Sequence, residues 1–169
     1  MTEIEEETYY FIEATANKNL LMQGISGAIG FPYTLLVDGL ALFLYYEPMI
    51  NKIRNNYSLS AINKEEFVNL IQSSGNELFY DLVIDKIVGN IPVVGVYANI
   101  VCAKILTWRL GLLFFYLSAR NLELSKNNIT VTLKFIRRMM NPNDIFLKLN
   151  TPQLNEMNSF LNSYFCELD

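Results

Sequence analysis

The chain has 169 residues, of which 51% are hydrophobic and 18% charged, with a net charge of −4 at pH 7 and no histidine. This length predicts one domain, and the acidic balance argues against a nucleic-acid surface, which needs clustered lysine and arginine. Without histidine, catalytic triads and histidine-bearing metal sites are excluded.

Residues 1–23 predict an acidic amphipathic helix. Thr2 and Glu5 have the spacing of a capping box, and apolar residues follow at helical spacing. Acidic residues stand where a secretory leader would carry basic ones, and the two cysteines lack paired spacing, so we expect a cytoplasmic protein. Gly24 and Gly27 then begin a glycine series that predicts a tight turn, although the same spacing permits close helix pairing in membranes.

Residues 24–120 predict an apolar core with two helices, each entered through glycine and proline. The first entrance contains Gly30 and Pro32, and the second contains Gly89, Pro92 and Gly95. Proline suits the first turn of a helix because the N–H that it lacks would have no partner there. The two entrances look like copies of one helical hairpin, but glycine and proline mark most helix starts, so chance explains the likeness equally well.

Charged residues interrupt both apolar stretches. A membrane-spanning helix needs about 20 predominantly apolar residues. Asp38 divides the first stretch, and Lys104 and Arg109 lie within the second. We therefore favour a compact bundle over a bilayer hairpin, which stays open as the alternative. The three charges are expected to pair with one another; the alternative is that they line a site for a partner or a lipid headgroup.

Aromatic side chains are concentrated in the same two stretches. Packing in the core is the favoured interpretation, and anchoring at a membrane interface is the alternative. An apolar patch left exposed by such a concentration would mark a partner or a membrane. The residues concerned are Phe43, Tyr45, Tyr46, Trp108, Phe114, Phe115 and Tyr116.

The remaining segments predict further helices. Pro48 is expected to interrupt the first apolar helix, which would either kink or restart there, and residues 57–62 to form a connector before a helix that starts at Asn63 with Glu66. Residues 121–169 predict a helical pair, the first member spanning 129–140 and the second starting at Thr151-Pro152. The fold class predicted is all-α, a single compact bundle of about six to seven helices with the two apolar helices at its centre.

No catalytic constellation is evident in this pattern. No glycine cluster ends in the Lys-Ser or Lys-Thr pair that holds nucleotide phosphates. We therefore predict a protein that is not an enzyme and that uses no cofactor, no metal and no small-molecule substrate.

Two strings resemble the signatures of a helical domain found in YcjF-type membrane proteins and at the C-terminus of some Era-like GTPases. GFPYTLLVDGLALFLYYEPMINKIRNNY (30–57) is similar to its proline, aspartate and Met-Ile pattern. KIVGNIPVVGVYANIVCAKILTWRLG (86–111) is similar to its second signature, which places a threonine, here Thr107, shortly before a Leu-Gly pair. The tail 128–165 is similar to what often follows. The resemblance implies an interaction or membrane-associated role rather than a reaction.

The chain departs from that family in two respects. Trp108 and Arg109 stand where smaller residues are expected, and no GTPase domain is attached, so a GTPase partner would have to act in trans. One hypothesis is a binding module of the bacterial cytoplasm or inner-membrane face, with a protein partner, such as a GTPase. The alternative is a conditional membrane-inserting protein of the toxin, immunity or effector type, because residues 91–119 approach spanning length.

Overall fold

The computed structural model describes residues 1–26, 39–70, 95–140 and 152–163, and all regular structure within these ranges is α-helical. The prediction of an all-α bundle is confirmed. The helices are α1 (Glu3–Ser26), α2 (Gly39–Asn56), α3 (64–70), α4 (Gly95–Ala119), α5 (Lys126–Met139) and α6 (Leu154–Ser163).

Helix α4 lies at the centre of the described helices. Every residue from Ile105 to Ser118 is buried, and α1, α2 and α5 all pack against this helix, α1 most extensively. A helix that is apolar around its whole circumference is stable only when other elements surround it. The composition of α4 therefore decides its central place, and the more polar helices form the shell.

Helix α2 differs from α4 in burial. Its inner face contributes Phe43, Tyr46, Ile50 and Ile53 to the core, whereas Leu44 on its outer face is exposed. Of the two apolar helices that the sequence places at the centre, α2 thus packs through one side only in its described part.

The capping box predicted at Thr2 and the helix start predicted at Asn63 are both confirmed. At the start of α1, the Thr2 N–H donates to Glu5 Oε2 over 2.7 Å, and the Glu5 N–H donates to Thr2 Oγ1 over 3.3 Å. Asn63 and Glu66 make the same exchange before α3, over 3.0 Å and 2.9 Å. Each pair satisfies two backbone N–H groups that the first helical turn leaves without partners.

Two helices end at residues in the left-handed conformation. Ser58 has φ 57° and follows α2, and Asn121 has φ 50° and follows α4. In both cases the N–H of the next residue donates to a carbonyl five positions earlier, from Leu59 to Arg54 over 3.0 Å and from Leu122 to Leu117 over 2.8 Å. This is the Schellman pattern, which satisfies carbonyls that the helix end would leave free.

Pro48 lies inside α2 and does not end the helix, so the expectation that the helix restarts at this proline is wrong. A proline at this position deprives the carbonyl of Leu44, four residues earlier, of its helical partner. Both residues are on the exposed face of α2, so water can hydrate that carbonyl and the helix continues at little cost. The predicted glycine turn does not begin at Gly24, because α1 runs through this residue to Ser26; Gly27 and Gly30 lie outside the described residues.

The two C-terminal helices start at residues other than those predicted. Helix α5 begins at Lys126, three residues early, because Ser125 accepts a hydrogen bond from the Asn128 N–H. Helix α6 begins only at Leu154, because the Glu156 side chain accepts from the Gln153 N–H over 2.7 Å and caps the helix there.

Candidate functional site

The predicted site residues divide into two groups. Asp38, together with the entrance residues Gly30, Pro32, Gly89 and Pro92, lies outside the described residues. Gly95 is the first residue of α4, and Lys104, Thr107 and Arg109 follow along the same helix.

Lys104 and Arg109 do not face the same way. Residues five apart are separated by about 140° around a helix axis. Lys104 is partly exposed, whereas Arg109 is buried, at 2% exposure. Partial burial lowers the pKa of the Lys104 ammonium, and the negative charge of Glu13 on α1 acts against that shift. Since the two cations point to different sides of α4, this geometry does not favour one anion site that uses both.

Thr107 belongs to a buried hydrogen-bond network among α1, α2 and α4. It has no exposed surface, and its hydroxyl accepts from the Asn19 side-chain amide over 2.9 Å. The Tyr46 hydroxyl lies 3.3 Å from the same Thr107 oxygen. A buried polar group is costly unless it is hydrogen-bonded. Thr107 therefore fixes how three helices meet, and its role in the core is structural.

The network continues from the core to the protein surface. The Tyr45 hydroxyl donates to Asn19 Oδ1 over 3.0 Å, and 36% of Tyr45 is exposed. Asn19 was not singled out from the sequence, although its position carries a signal. It follows Ile12 and Ala16 at helical spacing, and a polar residue on such an apolar stripe indicates a buried partner.

The aromatic side chains of α4 contact each of the surrounding layers. Trp108 packs on Tyr9 of α1, with ring centroids 5.6 Å apart, and Phe114 stacks on Phe67 of α3 at 6.4 Å. Tyr116 meets Phe160 of α6 at 5.3 Å. Six of the seven aromatic residues expected in the core are buried there, so the core interpretation is confirmed for them. Tyr45 is the exception.

An exposed apolar surface lies beside Tyr45. Leu44 is 60% exposed, and Pro48 is exposed one turn further along α2. We call Leu44, Tyr45 and Pro48 the α2 patch. The other large exposed hydrophobic residues in the described ranges are Ile4 and Tyr10, which are both on α1 and six positions apart. Within these ranges, only the α2 patch places exposed apolar side chains next to an aromatic ring whose hydroxyl is held by a hydrogen bond to another helix.

The described residues contain neither a cluster suited to a metal ion nor a helix suited to crossing a membrane. Within the described residues, no group of three or more acidic or cysteine side chains could hold a metal ion. None of the helices in those ranges combines the length and the apolar character that crossing a membrane requires.

Comparisons with protein-family models, with curated proteins and with solved structures give no match for this chain. The resemblance to the domain of YcjF-type and Era-like proteins therefore stays a prediction from the two sequence strings.

Proposed function

We propose that this protein is a non-enzymatic helical binding module and that it contacts a protein partner through the α2 patch. The observation that carries the proposal is the pairing of Leu44, 60% exposed, with Tyr45, whose hydroxyl is held by Asn19. Exposed apolar side chains that lie together mark interaction surfaces more often than single ones do.

Tyr45 has the properties of an interface anchor. Its ring is partly exposed, and it packs edge-to-face on Tyr46 at a centroid distance of 4.9 Å. The hydrogen bond to Asn19 and this ring contact restrict the side chain before any partner arrives. A rigid tyrosine loses little conformational entropy on binding, which is one reason that tyrosine is enriched at binding hot spots.

The partner that we propose is an Era-like GTPase supplied by a separate chain. This choice rests on the sequence resemblance and on the lack of a P-loop pattern in the sequence, so that GTP hydrolysis by that route would have to come from the partner. An apolar patch on α2 would suit an apolar surface of that partner, as helix-in-groove contacts do. A peripheral position at a membrane is compatible with this role.

The test is direct binding between purified proteins. An Era-like GTPase encoded by the same genome is titrated with the full chain, and the affinity is measured by isothermal titration calorimetry. We expect Leu44→Lys to weaken binding at least about tenfold, since a charge placed against a desolvated contact is costly.

Asn55→Lys is the matched control. Asn55 is exposed on α2. It lies 11 residues after Leu44 in the same helix, which places the two residues within about 20° of each other around the helix axis. The same charge change three turns away should leave the affinity within about twofold. Absence of binding by the wild-type chain, or equal effects of the two substitutions, would rule out the proposal.

One observation favours conditional membrane insertion as a second candidate. From Ile105 to Ser118, helix α4 is buried on all sides by other helices, as a helix kept inside a shell would be. Because α4 does not meet the requirement for crossing a bilayer, this candidate is limited to partial insertion. Arg109 in its middle opposes insertion because a charge at mid-bilayer costs about 2.5 to 3.5 kcal/mol. Flotation with anionic liposomes at neutral and acidic pH tests this candidate, and protein that stays with the aqueous fraction in both conditions excludes it.

A further inference from the structure

We infer that α6 is a latch, a helix that opens as a unit while the rest of the bundle stays folded. Its opening would uncover the aromatic side of α4 around Tyr116. The inference is independent of the proposed function, because it concerns the opposite end of the chain from the α2 patch and rests on different contacts.

The sequence of α6 gives it little intrinsic helix stability. The helix has only ten residues, LNEMNSFLNS, and half of these are asparagine or serine. Such residues favour caps and turns over helix interiors, and isolated helices shorter than about 12 residues are marginal in water. Helix α6 therefore depends on docking to stay helical.

Within the described ranges, one group of apolar side chains docks α6. Met157, Phe160 and Leu161 are its buried side chains. Phe160 lies between Tyr116 of α4, at a ring distance of 5.3 Å, and Phe135 of α5, at 6.3 Å. The remaining described side chains of the helix are at least partly exposed. The apolar attachment is thus one short stripe, whereas α4 is buried around its whole circumference.

Two hydrogen bonds hold the ends of this segment. The Tyr9 hydroxyl donates to the Pro152 carbonyl over 2.8 Å at a buried position, just before α6 begins. The Arg120 guanidinium donates to the Leu161 carbonyl near its end. Tyr9 also packs on Trp108, so the first bond links the start of α6 to the core of the bundle.

The contacts of α6 are separate from those that hold α1, α2 and α4 together. The Asn19–Thr107 bond and the Tyr46 contact involve none of the α6 residues. Opening of α6 would leave them intact. Regions with few buried contacts commonly open with a lower free energy than the global unfolding reaction.

Native-state hydrogen exchange of the full chain in low denaturant tests the latch. The readouts are the amides of 157–163 in α6 and those of 105–118 in α4. Tyr9→Phe removes the bond to Pro152 while keeping the ring, and it should raise α6 exchange about 2- to 12-fold. Phe160→Leu is a second variant that weakens the apolar stripe and should act in the same direction.

Thr107→Val is the discriminating variant. It weakens the core network, so it should raise α4 exchange about fivefold or more, and it should leave α6 exchange within about twofold of wild type. This pattern requires that α6 opens without the core. An equal increase for both sets of amides would mean that α6 opens only when the whole bundle unfolds, and it would overturn the inference.

Discussion

Gly111 of α4 lies directly against Ile12 of α1. A Cβ atom at Gly111 would be 2.7 Å from Ile12 Cγ2 and 2.9 Å from Cγ1, distances that packed atoms do not tolerate. The missing side chain therefore sets how closely the two most extensively packed helices approach. Ile12 has no exposed surface, and both of the clashing carbons are attached directly to its Cβ, so relieving the clash requires the side chain or the two helices to shift.

Gly111→Ala is expected to destabilise the protein, against the usual effect of alanine in a helix. Alanine gains about 1 kcal/mol of helix propensity over glycine, whereas overpacking a core costs about 1–3 kcal/mol. The net loss should be about 1 kcal/mol, measured by urea unfolding. In an Ile12→Ala background the alanine has room, so the same substitution should become neutral or stabilising. Additive effects of the two changes would contradict the contact.

Thr107→Val should lower the free energy of unfolding by about 1–3 kcal/mol, because the Asn19 amide loses its acceptor inside the core. Valine keeps the shape of threonine, so little packing changes. Thr130→Val on α5 is the control, since that hydroxyl donates only to the Lys126 carbonyl of its own helix. Chemical denaturation of the two variants should separate them, and equal midpoints would show that the network is not important for stability.

Ser58→Gly should stabilise the fold by about 0.5–1 kcal/mol. Ser58 has φ 57°. This left-handed conformation is sterically unfavourable for a residue with a Cβ atom and is not for glycine. Ser60→Gly in the same connector is the control: its φ is not left-handed, so glycine there should be neutral or destabilising. The melting temperature should therefore rise for Ser58→Gly and stay unchanged or fall for Ser60→Gly. A fall for Ser58→Gly would show that the serine side chain stabilises the turn.

Alkaline pH should destabilise the protein through its buried tyrosines. Burial raises the pKa of Tyr46 and raises that of Tyr57 to about 12, compared with about 10 in the unfolded chain. The folded state then binds more protons than the unfolded state, so the stabilising effect is complete below about pH 10 and is lost as the pH rises toward 12. The lowered pKa of Lys104 acts in the opposite direction, since deprotonation favours the folded state.

Tyr57→Phe isolates one part of this effect. The free energy of unfolding is measured in urea at pH 8 to about 11.5, a range around the reference tyrosine pKa of about 10. It should fall less steeply with pH in the variant than in the wild-type chain. Tyrosinate absorbance in the folded protein should rise later than in denaturant. An unchanged pH dependence in Tyr57→Phe would contradict the raised pKa.

Some features of this fold can be predicted from the sequence because they are local. The caps at Thr2 and Asn63 depend on residues three positions apart, and the helix starts predicted there are confirmed. Helical spacing alone also places Leu133, Ile136 and Met140 on one side of the segment 126–140, and all three are buried. Pro48 shows the limit of this reasoning: a proline ends a helix only when its neighbours cannot compensate, and its exposure on α2 depends on which face the bundle covers.

By itself the sequence determined the helical class and the central place of α4, because an apolar helix without a polar face must be surrounded. Only the tertiary structure decided three contacts: the hydrogen bond from Asn19 to Thr107, the packing of Ile12 on Gly111, and the hydrogen bond from Tyr9 to the Pro152 carbonyl. Each of these pairs is at least 88 residues apart in the chain. Helical periodicity specifies which side of a helix is buried, but the partner at each point depends on the relative position and crossing of two helices, which packing of the whole core sets.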